Sequence, residues 1–251
     1  MKIANIYPIA NQEGYQDEEY VMILAHLVKQ GLYDKKYFTG NKYIIMDNGL
    51  FEKQQVSTDV RDCISLAENS GIQVSEIIVP DAVNNIKETI KLFEENKEAI
   101  AEWQAKYKFM FVAQAKSYLD LLKGILYANK MYKKYNISVG ISKLTPLKRD
   151  SFLSRCTYRL CKPEIHFLGI KESFCELTKV KTMIRGCDSS QLAFIAKNVP
   201  DCFEMDIAKL LTYTRKGEDI DLAKDKCNAS ALSYLKVIFK KGVKQWGFMM
   251  K

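Results

Sequence analysis

The sequence is poor in residues that interrupt, staple or titrate a fold. Of 251 residues, five are proline, twelve glycine, two tryptophan and two histidine. With so few prolines and no Gly/Ser-rich stretch, no linker divides the chain. One domain is therefore expected over 1–251, with a core through about residue 200 and a helical extension over about 201–251. His26 and His166, the two histidines, leave little room for a Ser-His-Asp or Cys-His nucleophile system. The seven cysteines contain no Cys-x-x-Cys pair. Cys156, Cys161 and Cys175 with His166 come nearest to a zinc set, but without a tight ligand pair no metal site is expected. An odd number of scattered thiols predicts a reducing, cytoplasmic setting. No run approaches the roughly 18 apolar residues of a membrane span. The short apolar stretch after Met1-Lys2 does not make a signal peptide. Gly-x-Gly-x-x-Gly and Walker patterns are both missing, which removes the usual nucleotide turns.

The composition itself is that of a globular protein, with 47% apolar and 27% charged residues. Lys and Arg number 38 against 30 Asp and Glu, for a net charge of +8. That field suffices to attract a polyanion. Short, continuous apolar runs recur at 2–7, 43–46, 76–79, 109–113, 137–141, 165–170 and 182–184. Continuous rather than alternating runs are what parallel strands buried on both faces require. Charged, amphipathic segments lie between them, at 17–30, 58–70, 84–105, 116–135 and 171–180, and a further helix is expected at 229–241. This rhythm predicts an α/β fold with a parallel sheet. A (β/α)8 barrel needs about 250 residues, the whole of this chain. An open doubly wound sheet would need a glycine-rich turn after the first strand, where Tyr7-Pro8-Ile9-Ala10-Asn11 stands instead. A TIM-like (β/α)8 barrel, irregular in places, is therefore expected. Seven runs are one short of eight, and the missing strand is sought in 32–42 or after residue 200.

Strand ends carry the chemistry. The run at 43–46 meets Asp47-Asn48-Gly49, the next meets Asp81, and the next meets Gln114. Further on come Gly140-Ile141-Ser142, Leu168-Gly169 and Asp188-Ser189-Ser190. In a barrel these ends share one rim, where active sites are built. Each also has a plain local explanation. Asp47-Asn48-Gly49 is a strong turn tripeptide, and Asp81 and Asp188 could cap the helices that follow. Gln114 has no such role. Paired carboxylates with few histidines suit glycosyl transfer, one carboxylate attacking the anomeric carbon and the other moving protons. A carboxylate beside an amide can also read a purine edge, accepting from ring N–H and exocyclic amine while the amide donates to the carbonyl.

In that order and spacing, residues 43–196 resemble the tRNA-guanine transglycosylase superfamily. Its members are (β/α)8 barrels that exchange guanine for a 7-deazaguanine base. Asp47-Asn48-Gly49-Leu50-Phe51 is similar to that family's Asp-Ser-Gly-Gly-Phe segment. The resemblance implies that Asp188 is the nucleophile and Asp47 the acid/base. It gives Asp81 and Gln114 the reading of the base, with Gly140 and Ile141 contributing backbone and Gly169 joining the base-binding set. TRNA-acting members carry a Cys-x-Cys-x-x-Cys and distal His zinc site after the barrel, and this chain lacks that pattern. Gly49-Leu50 also replaces the Gly-Gly near the ribose. Both departures, and the short chain, make it look more like the DNA-guanine transglycosylases of phages and bacteria. That branch implies DNA and a free preQ0-like base as partners, no cofactor, no metal, and a host cytoplasm if the chain is phage-encoded. Lys143, Lys148, Arg149 and Lys171 are the candidate phosphate contacts, or else ordinary solvated charges. The readings held beside this one are a tRNA-guanine transglycosylase, a non-catalytic nucleic-acid-binding barrel, and a sugar-processing barrel enzyme.

Overall fold

The computed structural model describes all residues except 50–56, 171–172, 215–219 and 249–251. Eight parallel strands close into a barrel in which each pairs with its sequence neighbour and the last returns to the first. They are β1 (Lys2–Asn5), β2 (Tyr20–Leu24), β3 (Tyr43–Asp47), β4 (Glu76–Ile78), β5 (Lys108–Val112), β6 (Ile137–Ser142), β7 (Ile165–Leu168) and β8 (Gly186–Ser189). Closure leaves no unpaired sheet edge. Helices α1 (Ala25–Lys29), α2 (Val60–Ser70), α3 (Ile86–Trp103), α4 (Tyr118–Tyr132), α5 (Phe152–Arg159) and α6 (Gln191–Asn198) follow strands β2 to β6 and β8. The irregularity falls after β1 and β7, where 3₁₀ turns, Ile9–Tyr15 and Phe174–Lys179, stand in place of helices.

Two sequence expectations need correction. The missing strand is Tyr20–Leu24, inside the segment read as a helix over 17–30. All five of its residues are buried, because the strand has core on both sides. Such a run lacks the period of two, and the apolar residues of α1 extend it into a false helical stripe. The last strand begins at Gly186, after the run at 182–184 that was taken for it. Its polar Asp188 and Ser189 pair with Ala4 and Asn5, so barrel closure and not hydrophobicity makes this segment a strand.

The core has two parts. A large cluster between strands and helices includes Val21, Ile23, Ile44, Met46, Ile77, Phe109, Phe111, Val139, Ile141 and Phe167. A smaller one, with Ala4, Ile6, Tyr20, Met22, Ile45, Ile78, Met110 and Val112, fills the barrel interior. Alternation along each strand sends successive residues to one part or the other. Helix starts are well specified. Asp59, Asn85, Ser117 and Ser151 accept hydrogen bonds from backbone N–H groups in the first turns of α2 to α5.

Beyond α6 the chain forms a 3₁₀ turn at Cys202–Glu204, then α7 (Ile207–Thr212) and α8 (Ala229–Phe248). The extension clasps the β1 side of the barrel. Asn11 donates from Nδ2 to the Cys227 carbonyl at 3.1 Å, and the Cys227 N–H donates back to Asn11 Oδ1 at 2.7 Å. Lys236 Nζ donates to the Gly14 carbonyl at 2.8 Å, and the rings of Phe174 and Phe239 lie 4.5 Å apart. No helix among the described residues is long and apolar enough to cross a membrane.

Candidate active site

At the carboxyl ends of the strands a pocket of about 90 Å³ opens above the interior cluster. Asp47, Asp81, Gln114, Lys143, Gly169 and Asp188 all line it, so barrel closure gathers six residues spread over 142 positions of sequence. Ile220 and Leu222 of the extension complete one wall. The N–H of Ile9 donates to the Leu222 carbonyl at 2.8 Å and holds that wall to the β1 loop.

Asp47 ends β3, and its turn reading and its site position prove compatible. Its Oδ1 accepts from the Gly49 N–H at 3.0 Å, and Gly49 takes the left-handed φ of 80° that the tripeptide predicts. Asn48 is buried and donates from Nδ2 to the Val79 carbonyl at 3.3 Å and to Asp81 Oδ1 at 3.1 Å. Leu50 and Phe51 lie outside the described residues. Asp81 does not cap α3, a role that Asn85 fills. Instead Gln114 Nε2 donates to Asp81 Oδ2 at 2.5 Å, and Gln114 Oε1 accepts from the Asn84 N–H at 3.3 Å. Asn84 has a left-handed φ of 53°, which turns the loop toward Gln114. Burial pushes the Asp81 carboxyl up to about 6, although the Gln114 and Asn48 hydrogen bonds oppose the rise.

Asp188, on β8, is 5% exposed. The Gly169 N–H donates to both its oxygens at 3.0 Å, and His166 Nε2 lies 3.1 Å from Oδ1. Gly169 is required by its left-handed φ of 69°, and a Cβ there would also push on the Lys143 stem, whose Cδ lies 2.5 Å from that position. Lys143 thus runs its stem across Gly169 along the pocket wall.

Three sequence assignments change. Gly140 does not line the pocket. It sits one layer down, where a Cβ would lie 2.9 Å from both Leu168 Cδ1 and Met110 Sδ, and its carbonyl accepts from the Ala113 N–H. Its lack of a side chain serves interior packing. Ile141 points outward into the helix-facing core, and its carbonyl accepts from Arg149 Nη1 at 3.1 Å, so it too lies off the pocket. Arg149 is not a phosphate contact. It is 1% exposed, pairs with Glu176 at 2.6 Å, and donates to the carbonyls of Ile141, Leu168 and Gly169. A buried guanidinium with five donors braces the β6 and β7 rim. Of the other basic candidates, Lys143 lines the pocket and Lys148 is exposed on the β6–α5 loop. Lys171 lies outside the described residues.

Sequence reasoning missed His166, Tyr20 and Asn48. His166 is buried inside the barrel, with Tyr20 Oη 2.8 Å from its Nδ1. The detectable signal was parity. His166 and Leu168 alternate toward the interior two apart, as do Gly186 and Asp188. Among the described residues no group of three or more His, Cys, Asp or Glu is placed to hold a metal ion.

Fold and site together define a (β/α)8-barrel protein with a carboxylate-lined pocket at its carboxyl rim. Neither a protein-family model nor a curated protein matches the sequence.

Proposed function

We propose that this protein is a DNA-guanine transglycosylase that exchanges guanine for a preQ0-like 7-deazaguanine base. The observation that carries the reading is the Asp81–Gln114 pair, buried and hydrogen-bonded, in one pocket with two further carboxylates. An ionised carboxylate has about four acceptor sites. Asn48 and Gln114 occupy two at Asp81, which leaves one per oxygen for the N1–H and 2-amino group of guanine. Gln114 Nε2 has a second N–H for O6. Adenine presents the opposite pattern and would leave these groups unpaired, a strong basis for rejection. The edge read in this way is the same in guanine and in a 7-deazaguanine, which differ at position 7. One pocket can therefore release the first base and accept the second.

In the first half-reaction Asp188 attacks C1′. A C–O bond forms, the C1′–N9 bond breaks with its electron pair on the base, and Asp47 gives the departing guanine a proton. In the second half-reaction Asp47 takes the proton from N9–H of the incoming base. N9 then bonds to C1′, and the Asp188 carboxylate leaves. The target nucleotide must first be taken out of its stack, at a cost of a few kcal/mol. Lys143 on the pocket wall and exposed Lys148 are the contacts suited to flanking phosphates, and the +8 net charge favours a polyanionic substrate.

The experiment is guanine release from labelled DNA and from labelled tRNA, each with and without preQ0. Release from DNA that depends on preQ0 is expected. Release from tRNA alone would move the assignment to a tRNA-guanine transglycosylase. Release from neither would leave a non-catalytic nucleic-acid-binding or sugar-processing barrel.

A further inference from the structure

His166 has no part in the two half-reactions, yet it is fully buried against the nucleophile. Its neighbours in the strand ladder are Gly140 on β6 and Gly186 on β8, neither with a side chain. A Cβ at Gly186 would meet Tyr20 Cε1 at 3.0 Å, so the glycine admits the Tyr20 ring. Tyr20 reaches through that space to His166 Nδ1 at 2.8 Å, and His166 Nε2 reaches Asp188 Oδ1 at 3.1 Å. Three side chains from β2, β7 and β8 thus form one line from the barrel interior to the rim.

The proton positions follow from chemistry. An ionised carboxylate only accepts, so Nε2 must carry the hydrogen that faces Asp188. Nδ1 then accepts from the Tyr20 hydroxyl when the imidazole is neutral, or donates to it when charged. Burial raises the Tyr20 phenol well above its ordinary range and keeps the hydroxyl protonated in either case. Asp188 Oδ1 therefore accepts from both His166 and Gly169, whereas among the described residues Oδ2 accepts from Gly169 alone.

We propose that His166 is a positioning residue for Asp188. Its Nε2–H pins Oδ1, leaves Oδ2 as the oxygen that bonds to C1′, and stabilises the carboxylate when it departs. Tyr20 fixes the imidazole in the required tautomer. The proposal rests on the transglycosylase reading of Asp188. It has an asymmetric consequence. A hydrogen bond to the carboxylate is strongest while the charge is present and weakest once Oδ2 is esterified. Removing it favours the covalent adduct and slows its breakdown. A residue that merely filled space would not separate the two steps.

The test uses the full chain, without a histidine tag, and has two arms. In the first, ¹⁵N-detected NMR of the two imidazoles reads the tautomer without any substrate. His166 is expected to be Nε2-protonated, with a proton resonance that shifts upfield in Asp188→Asn. Tyr20→Phe is expected to populate both tautomers. In the second arm, guanine-containing DNA is reacted and the adduct is chased with preQ0. His166→Leu is expected to lengthen the adduct lifetime at least about 10-fold, as loss of a charge-assisted hydrogen bond predicts. His166→Gln places an amide N–H near Nε2 and is expected to restore breakdown to within a few-fold of wild type. It also serves if the leucine variant does not fold. An Nδ1-protonated His166, or adduct formation and breakdown falling together in both variants, overturns the proposal. If wild type forms no adduct with DNA or tRNA, the transglycosylase reading fails, and the step given to Oδ2 fails with it. The NMR arm still decides whether the Tyr20–His166–Asp188 line exists.

Discussion

The two ends of the barrel are both polar and both partly buried, but their charges are arranged in opposite ways. At the amino end Glu76 is fully buried. It accepts from Ser138, from Tyr43 at 2.9 Å and from Arg185 at 2.6 Å. Glu164 faces Lys108 and Arg185, so acids and bases cancel there. At the carboxyl end three aspartates line one pocket with Lys143, while Arg149 is turned away to Glu176. Hydrogen bonds at the amino end satisfy charges. At the carboxyl end they aim carboxylates into one pocket. The same residue types make a structural plug at one end and a candidate site at the other, and the pairing decides which.

The largest effect expected is at the rim. Asp188→Asn should lower DNA base exchange on the order of 10⁴-fold or more and abolish the covalent adduct, read by denaturing gel after reaction with labelled DNA. Asp47→Asn should still trap adduct, and an adduct that survives Asp188→Asn would reverse the two roles. At the opposite end, Glu76→Ala should destabilise the protein by about 1–3 kcal/mol, because it removes the short, buried partner of Arg185 and leaves the guanidinium with Glu164 at 3.4 Å. Urea unfolding measures this, and kcat per folded molecule should stay close to wild type. An unchanged midpoint would remove the contrast between the two ends.

Asp81→Asn should raise KM for the incoming base by about 10- to 100-fold, the cost of a mismatched buried hydrogen bond. In wild type that KM should rise as pH falls through about 6, where Asp81 takes up its proton. The stability linkage has the opposite direction. The folded pKa lies above the ordinary 3.8, so Asp81 contributes stability that is present at lower pH and lost as pH rises through about 6. Wild type should therefore lose stability relative to Asp81→Asn across that window in paired melts. The smallest effect is at the surface. Lys148→Ala should reduce the slope of log affinity for DNA against log salt by about 1, with kcat unchanged.

Most of the barrel could be read from the sequence because buried parallel strands leave continuous apolar runs. The exceptions have physical causes. Tyr20–Leu24 ran directly into α1 and lost its boundary, and β8 is held by its pairing with β1 despite its polar residues. Asp47, Asp81, Gln114 and Asp188 were accessible because a strand end has one destination in a barrel. Arg149 was misread because a basic residue in a rim loop looks the same whether it faces solvent or three carbonyls. His166 and Tyr20 were hidden in strands, where a polar residue is identified only by the partner that closure brings to it.

The clasp between Asn11 and Cys227 has a consequence in time. Ile220 and Leu222 form a pocket wall, and the β1 loop holds it through the Ile9 N–H. A nascent chain can emerge with all eight strands and every rim carboxylate while this wall is still inside the ribosome. Until residues 220–236 are free, the acids face open water, and the pocket cannot exclude it from a bound base. A complete pocket therefore needs two events, closure of the barrel and docking of the extension against the β1 loop.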